Sequence, residues 1–278
     1  MPRYKLTVAY DGTDFFGWQK QEPPDPDAPK PAPGEEPLRL QLRTVQHVLE
    51  QAVRQVVREE VILTGASRTD SGVHANGQVA AFTSNPDPDK GVGWPIERGT
   101  DGLVKAINSK LPRDVLVHNA EVVDDEFNPI GGAIEKEYCY TMFSGAVRPL
   151  WDRRYVFHTW YELDGARMQR AADLMVGEHD FACFAQIAHG RKTTVRTIFK
   201  CTIETPDDHG QPGKFVIRVS GNGFLYNMVR IIAGTLMEVG RGKIEPEQIG
   251  DMIASGDRRT AGVTLPPMGL RLEWIRYD

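Results

Sequence analysis

The sequence predicts an α/β fold of the α+β kind, two tandem βαββαβ halves, and three observations carry that reading. Residues 3–10 (RYKLTVAY) alternate Tyr4, Leu6, Val8 and Tyr10 against Lys5, Thr7 and Ala9, the period of two that marks a half-buried strand. Val45, Val48, Leu49, Ala52, Val53, Val56 and Val57 recur at spacings of three and four between polar Gln46, Glu50, Gln51, Arg54 and Gln55, the pattern of an amphipathic helix. Finally, the order of such patterns starts again after the loop at 127–133.

In the first half, short strands fit 61–64 and 78–83. A helix follows near 101–110, stopped by Pro112, and then a strand over 115–123. The second half offers a strand at 134–143, a helix at 164–176, strands at 194–205 and 214–220, and a helix at 225–239. A short helix at 246–254 and a last strand at 270–276 complete it. Two successive split βαβ units of ferredoxin-like type, 1–128 and 129–278, are the simplest architecture for this order: a mixed, largely antiparallel sheet with helices packed on it. The repeat is one of pattern, without residue identity between the halves.

Composition narrows the classes. With 278 residues, 40% hydrophobic and 26% charged, the chain is long enough for a sizeable core and is not mainly disordered. No apolar run approaches the roughly 20 residues that cross a bilayer, and residues 1–10 lack the order of a signal peptide, so a cytoplasmic location is expected. Cys139, Cys183 and Cys201 are an odd number without CxxC spacing, which speaks against a disulfide framework or a structural zinc site. Neither a P-loop nor a dinucleotide fingerprint is present.

A net charge of −5 argues against a nucleic-acid partner, because phosphate binding rests on Lys and Arg. Its distribution changes that. Residues 22–37 (EPPDPDAPKPAPGEEP) hold five acids, one base and seven of the 19 prolines, which leaves −1 for all the rest. Such a segment is a solvated loop outside any core. Conversely Arg191, Lys192, Arg196 and Lys200 lie in a stretch free of acids, either a wet face or a phosphate contact.

Three stretches could carry chemistry. Residues 64–78 (TGASRTDSGVHANGQ) have almost no apolar material and predict an exposed loop with Arg68, Asp70 and His74 in it. Asp70 there is either a cap for backbone amides or a reacting group, and two candidate ligands are too few for a metal. Tyr138, in EKEYCYTM, shares a strand face with Tyr140 and Met142, the place of a cross-strand packer or of a stacking ring. In SGNGFLYNMVRIIAGTLMEVG (220–240), Asn222 and Gly223 turn into a helix with Met228, Ile231, Ile232, Thr235, Leu236 and Val239 as its buried stripe. Arg230 borders that stripe, so it either snorkels to solvent or pairs with a carboxylate.

Taken in order, YDGTDFFGWQKQ, RTVQHVLEQAV, SRTDSGVHANGQVAAF, EKEYCY, HDFACFA, RTIFKCTI, FLYNMVRIIAGTLMEVGRGK and GLRL resemble the TruA-type tRNA pseudouridine synthases over nearly the whole chain. Ser67 replaces a common Gly, Ser71 a usual Ala, and Asn227 stands where His is frequent; 22–37 and 84–101 look like insertions. The resemblance implies a redox-neutral isomerase that needs no cofactor and no metal. Asp70 would be its nucleophile and Arg230 the cationic partner of Asp70. Tyr138 would stack on the target uracil or take its proton, Leu225 would wall the pocket, and Arg68 would fill the space of a flipped base or hold its phosphate. It further implies a cleft between the halves as the active site, tRNA anticodon stem-loops as substrate with uridines 38, 39 and 40 as targets, and a homodimer. A noncatalytic RNA-binding protein or RNA chaperone on the same fold is the main rival, and the carboxylate argues against it, because Asp70 repels phosphates. An Asp/His phosphoester hydrolase is disfavoured for lack of a metal-ligand set.

Overall fold

The computed structural model describes residues 1–29, 36–186 and 192–278. The chain divides into two units, Met1–Gly131 and Gly132–Asp278. The first contains β1 (Arg3–Tyr10), α1 (Val45–Val57), β2 (Thr64–Gly65), β3 (His74–Thr83), α2 (Thr100–Asn108) and β4 (Val115–Val123). β1 lies between β3 and β4, antiparallel to both, with Leu6 opposite Ala80 on one side and Ala120 on the other. β2 joins the far edge of β3, which makes the order β4-β1-β3-β2. The alternation read from residues 3–10 is real: Tyr4, Leu6, Val8 and Tyr10 are buried, and Tyr4 stacks on Phe82 at 5.4 Å between centroids.

Helix α1 is capped by Thr44, whose hydroxyl accepts from His47 N at 3.4 Å, and it stops at Arg58 in the left-handed region (φ 58°). Of the apolar face that the spacing predicts, Val45, Leu49, Ala52, Val53 and Val57 are buried and Val48 and Val56 half-buried. Glu50, read as part of the polar face, is not solvated: it is 4% exposed. Its carboxylate accepts from Leu63 N at 3.2 Å and lies 3.2 Å from Arg54 and 3.4 Å from Lys20. Helical periodicity registers the Arg54 partner one turn along α1 but not Lys20 and Leu63, which come from elsewhere in the chain.

The second unit contains β5 (Glu135–Ser144), β6 (Phe157–Thr159), α3 (Gly165–Asp173), β7 (Gly177–Asp180), β8 (Val195–Glu204), α4 (Pro206–His209), β9 (Lys214–Gly221), α5 (Met228–Gly240), α6 (Gln248–Ser255) and β10 (Leu270–Arg276). The strand order is β10-β5-β9-β8-β7, with antiparallel neighbours, while β6 runs parallel to the end of β5. Setting aside the short β6 and β7, the four main strands of this unit lie in the order fourth, first, third, second. The first unit has the same order, so the repeat seen in the sequence pattern is a repeat of topology. β6 and β7, of three and four residues, are too short to show a period and were not expected.

The stripe expected on α5 is too narrow, because every residue of the helix except Arg230 is buried. An all-round apolar helix belongs in a core. The chain at 262–265 lies directly on it: a Cβ at Gly234 would collide with the Val263 carbonyl, and Gly262 N donates to Thr235 Oγ1 at 2.9 Å. The helix starts at Met228, three residues later than expected, because Asn227 adopts φ 62°.

Two surface readings are refined. Residues 30–35 of the Pro-rich segment and Arg191 of the basic stretch lie outside the described residues. The flanks of the former are largely exposed and form a short ladder, Asp25 N to Leu38 O at 2.7 Å and Leu40 N to Pro23 O at 2.8 Å. Lys192 and Lys200 are exposed, whereas Arg196 turns back onto the carbonyls of Thr193 and Val195. Among the described residues no helix is long and apolar enough to cross a membrane.

Replacing Glu50 by Ala strands the Leu63 amide, while Arg54 keeps Glu60 and the Val61 carbonyl, and is expected to lower the unfolding free energy in urea by ~1–3 kcal/mol. Glu50→Gln keeps the acceptor and should lose less; equal losses would show that the carboxylate's hydrogen bond to Leu63 contributes nothing.

Candidate active site

The 64–78 stretch is not the exposed loop its composition suggests. Ala66, Thr69, Val73, His74, Ala75 and Gln78 are buried, and β3 already begins at His74. Polar residues can go inside here because they satisfy one another. The amide of Gln78 clamps the backbone of Ser67, donating to its carbonyl at 2.6 Å and accepting from its N–H at 3.2 Å. Thr69 shares a 2.7 Å hydroxyl bond with Tyr10, and its carbonyl accepts from Trp18 N at 3.0 Å. Ser71 Oγ donates to Phe15 O at 3.1 Å, a bond that alanine lacks. Arg68 is exposed and Asp70 half-buried, with the Asp70 carbonyl accepting from Val73 N at 3.1 Å. The backbone on either side of Asp70 is thus held by hydrogen bonds to other segments of the chain.

His74 has a structural task. Its Nδ1 accepts from Gly12 N at 3.0 Å, which requires the tautomer protonated on Nε2. Asp11 Oδ1 lies 3.2 Å from the same nitrogen but already accepts from Thr13 N at 3.0 Å and Thr13 Oγ1 at 2.6 Å. The Gly12 amide, rather than a charged pair, therefore sets the imidazole. The segment YDGTDFFGW is the scaffold of the loop. Gly17 has φ 83°, and a Cβ on it would lie 2.6 Å from Thr69 O; at Gly12 a Cβ would run into the Val73 carbonyl. Gly-Trp means nothing as a dipeptide, but here it marks where two backbones touch.

In the second unit Tyr138 lies on β5 opposite Val219 of β9 and Leu272 of β10, 6% exposed, with Phe224 edge-on at 5.3 Å. Leu225, next in sequence to Phe224, is 4% exposed. Arg230 does not snorkel. Its Nε donates to Leu265 O at 2.7 Å and its Nη1 to Asn227 Oδ1 at 2.7 Å. Asn227 in turn donates from Nδ2 to Gln186 Oε1, so its amide orientation is set by partners on both sides. Its φ of 62° is one that Asn tolerates better than most residues. Tyr140, on the same strand face as Tyr138, donates to Pro266 O at 2.8 Å, and burial pushes its hydroxyl pKa far up against the opposing pull of Arg230. That phenol stays protonated.

Of the residues singled out from sequence, Arg68 and Asp70 belong to the first unit, and Tyr138, Leu225 and Arg230 to the second. The roles of Gln78, Gly17 and the Leu265 carbonyl were not anticipated, and Asn227, noted as a departure, proves to be the residue that steers Arg230. An Asn just before an apolar helix was the one available signal. Among the described residues no three His, Cys, Asp or Glu side chains gather as a metal site.

Gly17→Ala forces an L-residue into a left-handed conformation and against Thr69 O. It is expected to cost ~1–2 kcal/mol from the backbone alone and to speed hydrogen exchange at the Trp18 and Val73 amides. Wild-type exchange at both amides would refute the scaffold role of the turn.

Comparison with known proteins agrees with this arrangement of motifs. The family model described as tRNA pseudouridine synthase matches residues 171–278. The tRNA pseudouridine synthase A 2 of Clostridium perfringens is 42% identical over 278 residues, with all of both chains covered. The tRNA pseudouridine synthase A of Thermoanaerobacter sp. (strain X514) is 39% identical over 278 residues, and that of Geotalea uraniireducens 38% over 277, each again covering 100% of both chains. Identity at this level from end to end leaves one conclusion: the chain belongs to the tRNA pseudouridine synthase A family of enzymes.

Proposed function

We propose that this chain converts uridine to pseudouridine in the anticodon stem-loop of tRNA, at positions 38, 39 and 40, with Asp70 as nucleophile. What carries the reading is end-to-end similarity to synthases combined with an Asp70 whose flanking backbone is held by Gln78 and Trp18 and whose neighbour Thr69 is held through its hydroxyl by Tyr10. The reaction breaks the N1–C1′ bond, turns the uracil and joins C5 to C1′; the proton lost from C5 is balanced by the one gained at N1. No electrons are exchanged. A carboxylate suits this course because it can hold the electrophilic carbon, whether on the ribose or the base, and still leave.

Arg230 is the cation assigned to offset the cost of a carboxylate beneath a stacked base, and its two fixed acceptors support that role by restricting where the guanidinium points. Tyr138 is the ring on which the uracil stacks; Leu225 walls the pocket. Arg68, exposed on the Asp70 loop, is the side chain assigned to the space of a flipped uridine or to its phosphate. The reading includes a homodimer acting in the cytoplasm. A noncatalytic RNA-binding protein on the same fold is not favoured, since the full-length relatives are named as synthases.

The direct test incubates unmodified tRNA transcript with the protein and detects pseudouridine by chemical derivatisation; tRNA that stays unmodified refutes the reading. Asp70→Asn should abolish turnover and leave tRNA affinity within a few-fold, since it keeps shape and removes charge. Appreciable pseudouridine formation by this variant would overturn the nucleophile assignment. Arg230→Met should slow single turnover at saturating enzyme far more than it weakens binding, and Arg230→Lys should recover only part of the rate, because an ammonium does not reproduce the planar fork. If Arg230 only touches phosphate, the single-turnover rate will be unchanged and the salt slope of binding will fall by about one.

A further inference from the structure

Residues 145–161 leave the end of β5, form β6 and turn toward α3, and they carry an exposed aromatic and basic surface that the proposed chemistry does not use. Trp151 is 86% exposed, Trp160 74%, Val147 80% and Leu150 54%. Exposed Arg148, Arg153 and Arg154 are interleaved with them, and Asp152 is the single acid in the segment. Its turn is ordered. The amides of Tyr155 and Val156 donate to Asp152 O at 2.8 and 3.1 Å, and Arg153 Nη1 donates to Leu150 O at 3.1 Å. Trp160 packs edge-on against His158 at 5.0 Å, and the His158 ring bonds Gly145 O through Nε2 at 2.8 Å. Two tryptophans kept in water on a hydrogen-bonded frame gain nothing for folding, which marks the surface as one that binds.

We propose that this segment is a second tRNA contact, where unpaired bases stack on Trp151 and Trp160 while Arg148, Arg153 and Arg154 meet phosphates. The proposal rests on the reading of tRNA as substrate and adds where the RNA is gripped away from the reacting base. Charge chooses the occupant. The chain carries a net charge of −5, yet this segment has three Arg and one Asp, which suits a polyanion with single-stranded bases. A second copy of the chain, docked through the same face, would set each arginine cluster against its own image. Position keeps the surface distinct from the base pocket: Ser144, the last residue of β5 before the segment, is six residues beyond Tyr138, or ~20 Å at ~3.3 Å per residue.

The test compares wild type with Trp151→Ala/Trp160→Ala and with Arg148→Gln/Arg153→Gln/Arg154→Gln. It measures full-length tRNA affinity at two salt concentrations, single-turnover rate at saturating enzyme, and sedimentation. Both variants should bind tRNA at least about tenfold more weakly, with single-turnover rates unchanged. The arginine variant should also lose about two to three from the slope of log affinity against log salt, at ~0.9 per phosphate. Trp151→Phe, which keeps a ring, should bind nearly as wild type. Unchanged affinity and slope in both variants would overturn the proposal. So would self-association lost at unaltered affinity per protomer, which would make the surface a protein interface, or a single-turnover rate that falls while affinity holds. Wild-type protein that binds tRNA through this segment yet forms no pseudouridine would refute the isomerase reading and leave this contact standing.

Discussion

The contact on which the first unit's site depends is a backbone-to-backbone approach. The turn at 12–18 presses against the loop at 69–73 so closely that only glycine fits at positions 12 and 17. From that approach come the amide of Trp18 on Thr69, the amide of Gly72 on Phe15, and the amide of Gly12 on His74. A loop made of Ser, Arg, Thr, Asp and Gly has no apolar core of its own to hold it. It acquires rigidity by giving its hydrogen-bonding groups to a neighbouring segment, and Asp70 is carried along in a defined place. The entropy of ordering the loop is thereby met on folding.

The second unit solves a similar problem with a helix. α5 is buried on nearly every side, and its one polar interruption near the start, Arg230, needs acceptors. Gly234 lets the chain at 262–265 lie on the helix and deliver the Leu265 carbonyl, while Asn227, in a left-handed conformation before the first turn, swings its amide back over the guanidinium. Neither acceptor is charged, so the positive charge of Arg230 is oriented without being neutralised by them.

Strand β5 separates two environments by simple alternation. Tyr138 and Tyr140 point to one face; Cys139 points to the other, where its thiol donates to Glu273 at 2.7 Å and Arg271 grips the same carboxylate at 2.7 and 2.9 Å. Burial, reinforced by the adjoining Glu273, pushes the Cys139 thiol up to about 12, so it is held as a neutral donor. Arg218, 3.8 Å from Glu273, is bonded to Glu204. This paired network lies directly behind the strand that presents Tyr138, and it ties β5 to β9 and β10 on that face.

By itself the sequence determined the order of the main elements, the bounds of β1, α1 and β4 and the family resemblance. All of these rest on local signals: a period of two or 3.6, a stop at proline, a run of characteristic residues. The tertiary structure alone decided that 64–78 is largely packed away, that Glu50 is an interior acid, that α5 is buried all round and that Asn227 and Leu265 aim Arg230. Each of these turns on whether a polar group finds a partner from a distant part of the chain, as Gln78 does in Ser67 or Thr69 in Tyr10. Periodicity weighs a residue by its own polarity, whereas burial is settled by hydrogen bonds that only the folded chain brings within reach.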